Sequence, residues 1–141
     1  MKSIRRILGT AAVLTALATP GLAADSGSPA EGILASLRAS AATEDIDFDG
    51  FKGDRGKDFY HAIHEGGRAP SCTTCHGEDP TREGALPNGQ SIAPLAVSAN
   101  PRRMSDPGRY FKQIQGCCMI TLGHDCSAKQ KGDVSTYLLK E

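Results

Sequence analysis

Tryptophan is absent from this chain of 141 residues, and aromatic residues make up only 5% of it. Basic and acidic side chains balance, with 16 of each, so the formal net charge is zero. No basic patch is interleaved with aromatic side chains, which argues against nucleic acid as a partner. No internal repeat occurs, and this length predicts a single domain. The longest apolar run, residues 7–18, is too short for a transmembrane helix, which needs about 20 residues.

The first residues have the layout of a secretory signal peptide. A basic segment precedes the apolar run, and small residues follow a break at Pro20. Cleavage is expected after Ala23 or Ala24. The arginine pair in the basic segment also fits a twin-arginine signal. The sequence therefore predicts a signal peptide at residues 1–24, export to the periplasm and a mature domain at residues 25–141.

Helical periodicity predicts an all-α domain. Apolar residues recur at spacings of three and four in stretches that begin at capping residues and end near glycines. The predicted helices cover residues 29–38, 54–64, 105–116 and 127–140, with irregular chain at 39–53 and 68–100. The second helix is expected to bury Phe59, Tyr60 and Ile63, and Gly116 is expected to stop the third. The longer irregular segment is unusual in a compact domain, which indicates that it covers a ligand.

Five cysteines carry the strongest chemical signal in the sequence. Two of them frame a Cys-x-x-Cys-His motif formed by Cys72, Cys75 and His76. Thiols one helical turn apart reach the two vinyl groups of a haem, and the adjacent histidine faces the iron. Spare thiols pair in an oxidising compartment, so Cys117, Cys118 and Cys126 are expected to form one disulfide and leave one thiol.

Three other interpretations of the motif compete with haem attachment. A zinc site would need two further ligands, which the remaining cysteines could supply. A thioredoxin-like pair would follow a strand, but residues 69–71 do not resemble one. Cys72 and Cys75 could also form a plain disulfide. The export signal and the helical surroundings favour one covalent haem c, with His76 as proximal iron ligand and the Pro94 carbonyl as acceptor for its other ring nitrogen.

Three segments, in this order and spacing, resemble the sphaeroides haem protein (SHP) family: residues 70–77 (PSCTTCHG), 92–96 (IAPLA) and 123–126 (GHDC). The resemblance runs from about Gly56 to the end of the chain. It implies a small class I cytochrome c fold, with helices and long loops wrapped around one haem and an extra disulfide loop. It also implies that the first and last core helices cross at Gly56, near Phe59 and Tyr137. Pro94 and Leu95, in the second segment, are assigned to haem binding.

The resemblance further implies an unusual sixth iron ligand. Family members use an asparagine immediately before the first cysteine of a disulfide loop; it leaves on reduction, and the open iron binds oxygen or nitric oxide. Alignment on Gly123 and Cys126 puts Cys117 at the asparagine position and implies a disulfide between Cys118 and Cys126. Cys117 is therefore expected to bind the metal opposite His76.

Met119, His124 and an open or water-bound iron are alternatives to Cys117 as sixth ligand. Met119 lies before the last helix, where small cytochromes c place their methionine. A cysteine thiolate predicts a low reduction potential, whereas a methionine predicts a higher one. If Cys117 instead pairs with Cys126, the free thiol is Cys118.

The predicted function is electron transfer by a monomeric monohaem cytochrome c. The alternative, which the resemblance implies, is binding or conversion of a diatomic gas. The resemblance implies that a dihaem cytochrome c is the electron donor. A membrane b-type cytochrome is the other candidate for the electron donor. A thiol-chemistry enzyme that uses Cys117 is a third hypothesis by analogy only, so enzymatic activity is left open.

Overall fold

A computed structural model describes residues 27–141, and the predicted signal peptide and its cleavage site lie outside this range. Helices dominate the described chain, so the predicted all-α class is confirmed. The elements are α1 (Pro29–Glu44), α2 (Gly53–His61), α3 (Thr73–His76), β1 (Gly84–Ala85), β2 (Ser91–Ile92), α4 (Pro107–Leu122) and α5 (Ala128–Lys140). Within residues 27–141, no helix is both long enough and apolar enough to cross a membrane.

Helix α1 is longer than predicted. It begins at a capping box in which Ser28 and Glu31 bond each other's backbone amides, with Pro29 in the first turn. The prediction ended it near residue 38, but it continues to Glu44 because Ala41 extends the buried stripe that contains Ile33.

Helix α2 is shorter than predicted. It ends at His61, because the next residue, Ala62, has an extended backbone. Ile63 therefore lies outside the helix and is 76% exposed, so its predicted place on the buried stripe is wrong. Tyr60 is buried as predicted, and Phe59 packs against the same core.

Helix α4 begins as predicted but does not stop at Gly116. Asp106 caps it by accepting a bond from the Arg109 amide. Glycine inside a helix costs about 1 kcal/mol, which tertiary packing overrides here. The buried face continues beyond it to Cys118, and the helix ends at Gly123 with a left-handed backbone (φ 78°). The disulfide cysteine Cys118 therefore belongs to a helix rather than to a loop.

Helix α5 matches its prediction and forms the main tertiary contact with α2. Ser127 caps α5 with a capping box, and the helix crosses α2 at Gly56. A Cβ atom at Gly56 would overlap the backbone of Asp133, so the crossing requires glycine. The rings of Tyr60 and Tyr137 lie 5.7 Å apart beside it. Helix α1 packs mainly on α5 as well.

The segment between α2 and α4 wraps across the other helices and contains two elements that were not predicted, α3 and a short antiparallel hairpin that pairs Gly84 with Ile92. Its backbone is tied to α4 by the Arg68 amide, which donates to the Ile120 carbonyl at 2.7 Å. It is tied to α5 by the Val97 amide, which donates to Leu138 at 3.0 Å. These bonds hold α3 opposite α4.

Candidate functional site

Helix α3 presents the Cys-x-x-Cys-His motif. Cys72 stands at its N-cap, and Cys75 and His76 lie in its single turn. Gly77 ends the turn with a left-handed φ of 75°, and its carbonyl accepts a hydrogen bond of 2.8 Å from the Tyr60 hydroxyl of α2. The core helix α2 thus fixes the position of the motif.

Helix α4 places Cys117 directly opposite the motif. The Sγ atom of Cys117 lies 3.9 Å from Nε2 of His76, although 41 residues separate them. Cys72, Cys75 and Cys117 are the free cysteines of this chain. The structure therefore brings together the four residues that the sequence assigned to haem attachment and iron binding.

Two cavities border the His76–Cys117 pair. The first is bounded by Leu95 and Tyr110, among other residues. The second is bounded by Leu86 and Ile92 of the hairpin segment, among other residues. Both cavities also border Cys72, His76, Cys117 and Thr121. One broad apolar space thus surrounds the facing nitrogen and sulfur atoms.

The residues around this space fit a covalent haem. The Nε2 atom of His76 and the Sγ atom of Cys117 face each other at 3.9 Å, so both could bind one haem iron. Two free thiols lie beside the pair, as haem attachment requires. Zinc has no support, because the described residues contain no group of three or more His, Cys, Asp or Glu side chains placed to hold a metal ion.

Burial determines the protonation states at this site. Desolvation, with a smaller effect of the nearby Arg103 charge, lowers the pKa of His76 to about 4, so its imidazole is neutral at pH 7, the form that binds metals. Desolvation raises the pKa of Cys72 to about 11 and also raises the pKa of Cys117. Cys117 alone is therefore a neutral thiol at pH 7, and a bound metal ion is needed to hold it as a thiolate.

Leu95 is buried and borders the first cavity, and its part in haem binding stays a prediction. The predicted bond between His76 and Pro94 is not seen in the structure. The Pro94 carbonyl accepts from Nδ2 of Asn100 at 3.0 Å, and Nδ1 of His76 has no hydrogen-bond partner among the described residues. A carbonyl oxygen has two lone pairs, so the Pro94 carbonyl can accept a second bond besides the one from Asn100. The bond from His76 therefore stays a prediction.

A disulfide joins Cys118 and Cys126, whose Cα atoms lie 5.5 Å apart, so the alternative pairing of Cys117 with Cys126 is wrong. The alternative ligand Met119 lies on a different face of α4 from Cys117. Two helical positions from Cys117 turn it about 200° away, and it is 49% exposed. His124 is exposed in the disulfide loop, with Nδ1 2.8 Å from the Asp125 carbonyl.

Several cavity-lining residues were not predicted from the sequence as part of the site, and Arg103 and Thr121 are two of them. Neither belongs to a haem motif. The helical spacing of α4 could have indicated Thr121, since it lies four positions after Cys117, but only beyond the incorrect stop at Gly116. Arg103 lies in irregular chain, where spacing carries no signal.

Comparison with known proteins finds one family model and relatives that are cytochromes c. Residues 46–138 match a family described as a domain of unknown function, DUF1924. The cytochrome c-type protein SHP of Cereibacter sphaeroides is 40% identical over 124 residues, which are 86% of this chain and 90% of that protein.

Two solved structures share the fold. The structure of oxidised SHP, described as an oxygen-binding cytochrome c, superposes with a TM-score of 0.72 at 36% identity and covers 81% of this chain and 97% of that one. The second is the solution structure of cytochrome c'' from Methylophilus methylotrophus, which is described as giving insights into the structural basis of haem-ligand detachment. It superposes with a TM-score of 0.67 at 26% identity and covers 79% of this chain and 93% of that one.

Proposed function

The chain belongs to the SHP-like family of c-type cytochromes, and on that basis we propose that it is a monohaem electron-transfer protein with His76 and Cys117 as axial iron ligands. Its fold is that of a class I cytochrome c, and its cofactor is covalently bound haem c. When bound, the haem supplies an iron that alternates between the ferric and ferrous states and can bind a diatomic gas at an open axial position.

Each residue of the motif has a separate part in this proposal. Cys72 and Cys75 form the thioether bonds, which makes the cofactor a permanent part of the core. His76 binds the iron through Nε2, the ring nitrogen that faces Cys117. Leu95 supplies apolar contact, and the Pro94 carbonyl orients the His76 ring through Nδ1.

The observation that carries the proposal is the 3.9 Å approach of the Cys117 and His76 ligand atoms across the apolar cavity. A thiolate at this position adds negative charge next to the iron and so favours the ferric state, which gives a low reduction potential. The disulfide from Cys118 to Cys126 holds the end of α4 to the start of α5 and restrains the neighbouring Cys117. A low-potential one-electron carrier is the function that this arrangement supports best.

Replacing Cys117 with alanine tests the ligand set. We expect the ferric electron paramagnetic resonance spectrum to change from a low-spin thiolate form to another species. Met119→Ala is the matched control, since Met119 lies two residues away on the exposed face of the same helix and its loss should leave the spectrum unchanged. An identical spectrum for wild type and Cys117→Ala, or a changed one for Met119→Ala, would contradict the proposal.

Gas binding is a second candidate function. Its specific support is that one relative is described as an oxygen-binding cytochrome c and another in terms of haem-ligand detachment. In this chain, Cys117 would be the residue that moves away on reduction. Adding carbon monoxide to the reduced protein separates the two functions. Rapid binding by wild type supports gas chemistry, whereas binding by Cys117→Ala alone supports electron transfer with a permanent sixth ligand.

Export and partners complete the proposal. Covalent haem attachment requires accessible thiols, which suits secretion of an unfolded chain and cleavage after residue 23 or 24. We propose that the protein acts in the periplasm as a monomer and takes electrons from a dihaem cytochrome c or a membrane b-type cytochrome. The intact mass of the protein from a periplasmic extract tests the first part, because it reports both loss of the leader and addition of one haem.

A further inference from the structure

Arg103 has an unpaired polar atom beside the first of the two cavities that border His76 and Cys117. Its Nε atom is fully buried and has no hydrogen-bond partner among the described residues. Its side chain borders the first cavity together with His76, Cys117 and Tyr110. Buried donors are rarely left unpaired in native proteins, so this atom calls for a partner.

The backbone holds Arg103 in place before any partner binds. Its amide donates to the Asn100 carbonyl at 2.9 Å, and the Asn100 amide donates in turn to the Ala96 carbonyl at 2.9 Å. The Asn100 side chain ties the same loop to the Pro94 carbonyl. The next residue, Met104, is 2% exposed and anchors the loop in the core. The backbone of Arg103 is therefore positioned by a chain of local bonds.

The charges around the cavity identify what is missing. Its lining residues include two cations, Arg103 and Lys131, and no aspartate or glutamate. The Lys131 ammonium is already paired with Asp125 at 2.7 Å. Among residues 27–141, Arg103 is thus the cation of this cavity that has no carboxylate partner. A guanidinium prefers a carboxylate partner, to which it donates short, charge-assisted hydrogen bonds.

We propose that Arg103 donates a hydrogen bond from Nε to one of the two propionate carboxylates of the haem. The inference rests on the attachment of haem at Cys72, Cys75 and His76 and extends it to the orientation of the cofactor. Arg103 is a positioning residue, which fixes one edge of the haem while the thioether bonds fix another. Its charge also offsets negative charge near the iron and so raises the reduction potential.

Arg103→Gln and Arg102→Gln form a matched pair for the test, since both remove one positive charge from adjacent positions. Arg102 is exposed and its charge is screened by solvent. We expect Arg103→Gln holoprotein to have a lower midpoint potential, corresponding to about a tenfold change in the ferric-to-ferrous equilibrium, or about 59 mV for one electron. Arg102→Gln should change it far less, and Arg103→Lys should lie between Arg103→Gln and wild type.

Equal potentials for Arg103→Gln and Arg102→Gln would overturn the proposal. If Arg103→Gln yields no holoprotein, a crystal structure of the wild-type holoprotein decides. A distance of at most about 3.2 Å from Arg103 Nε to a propionate oxygen supports the bond, and a longer distance contradicts it. The pyridine haemochrome spectrum of the wild-type protein tests haem attachment separately. If haem attachment at Cys72 and Cys75 is wrong, that spectrum will not be the one of doubly attached haem. If only the inference about Arg103 is wrong, the spectrum will be unaffected.

Discussion

The crossing of α2 and α5 and the space between α3 and α4 are built in different ways. At the crossing, Gly56 lets the two backbones touch, and the buried carboxylate of Asp133 accepts bonds from the Lys52 amide at 2.8 Å and from Arg55. Between α3 and α4, apolar side chains border a cavity, three thiols are free, and His76 Nδ1 and Arg103 Nε have no partner among the described residues.

This difference separates what the polypeptide stabilises alone from what its cofactor completes. The crossing needs no further group, because its volume is filled and its charges are paired. The α3–α4 space has apolar walls and unpaired donors, which suit a large flat molecule with an apolar body and carboxylate ends. Perturbing the α3–α4 space should therefore change the haem content, and with it the stability. Perturbing the crossing should change the unfolding free energy and leave the haem content unchanged.

The largest effect should follow from replacing both Cys72 and Cys75 with alanine. We expect complete loss of the covalent haem c signature in the pyridine haemochrome spectrum and a large fall in thermal stability, because the cavity loses its apolar filling. The matched control is Cys118→Ala with Cys126→Ala, which removes the same number of sulfur atoms. It should keep the haemochrome spectrum and lose only about 2–3 kcal/mol of stability. An unchanged spectrum in the first variant would refute the attachment site.

A smaller effect is expected at the helix crossing. Gly56→Ala forces a methyl group into the Asp133 backbone and should lower the unfolding free energy by about 2 kcal/mol, measured with denaturant on the holoprotein. Gly32→Ala in α1 is the control, since nothing lies within 4 Å of the added atom, and it should raise stability by up to about 1 kcal/mol. Both variants should keep the wild-type haem spectrum. A stabilised Gly56→Ala would show that the crossing is not tightly packed.

The smallest effect concerns a hydrogen bond beside the cavity, between the Tyr110 hydroxyl and Ser135 Oγ at 2.7 Å. In a double-mutant cycle with Tyr110→Phe and Ser135→Ala, we expect a coupling energy of about 1 kcal/mol. Ser135 also donates to the Lys131 carbonyl, so Tyr110→Phe should cost less than Ser135→Ala, which leaves the buried phenol unpaired. A coupling energy near zero would mean that the bond contributes nothing.

Much of the fold was predictable because its signals are local. Asp106 and Ser127 are helix caps whose partners lie three residues away, and both helices begin where these residues predict. Helix ends were harder, because they depend on contacts with other elements. Gly116 is tolerated inside α4 since the buried face continues to Cys118 and Thr121. The α2 helix ends at His61, earlier than the glycines that follow it would suggest.

The candidate site divides in the same way. A haem-attachment motif is a short-range pattern, so Cys72, Cys75 and His76 could be identified without any structure. Cys117 was identified only through the family resemblance, since no local pattern marks a distal ligand. Met119 was the alternative while residues 117–126 were taken for a loop. These residues are partly helical, and because a helix separates neighbouring side chains by about 100°, Met119 does not share the face of Cys117.

Sequence alone therefore established the cofactor, the helical class and the count of cysteines that leaves one thiol over, because covalent chemistry and helical periodicity are local properties. Tertiary structure alone decided that this thiol lies 3.9 Å from the His76 ring nitrogen and that Arg103 faces the same cavity without a carboxylate. These relations join residues far apart in the chain. They depend on how α4 and the 94–106 loop pack against the rest of the domain, which no short stretch of sequence encodes.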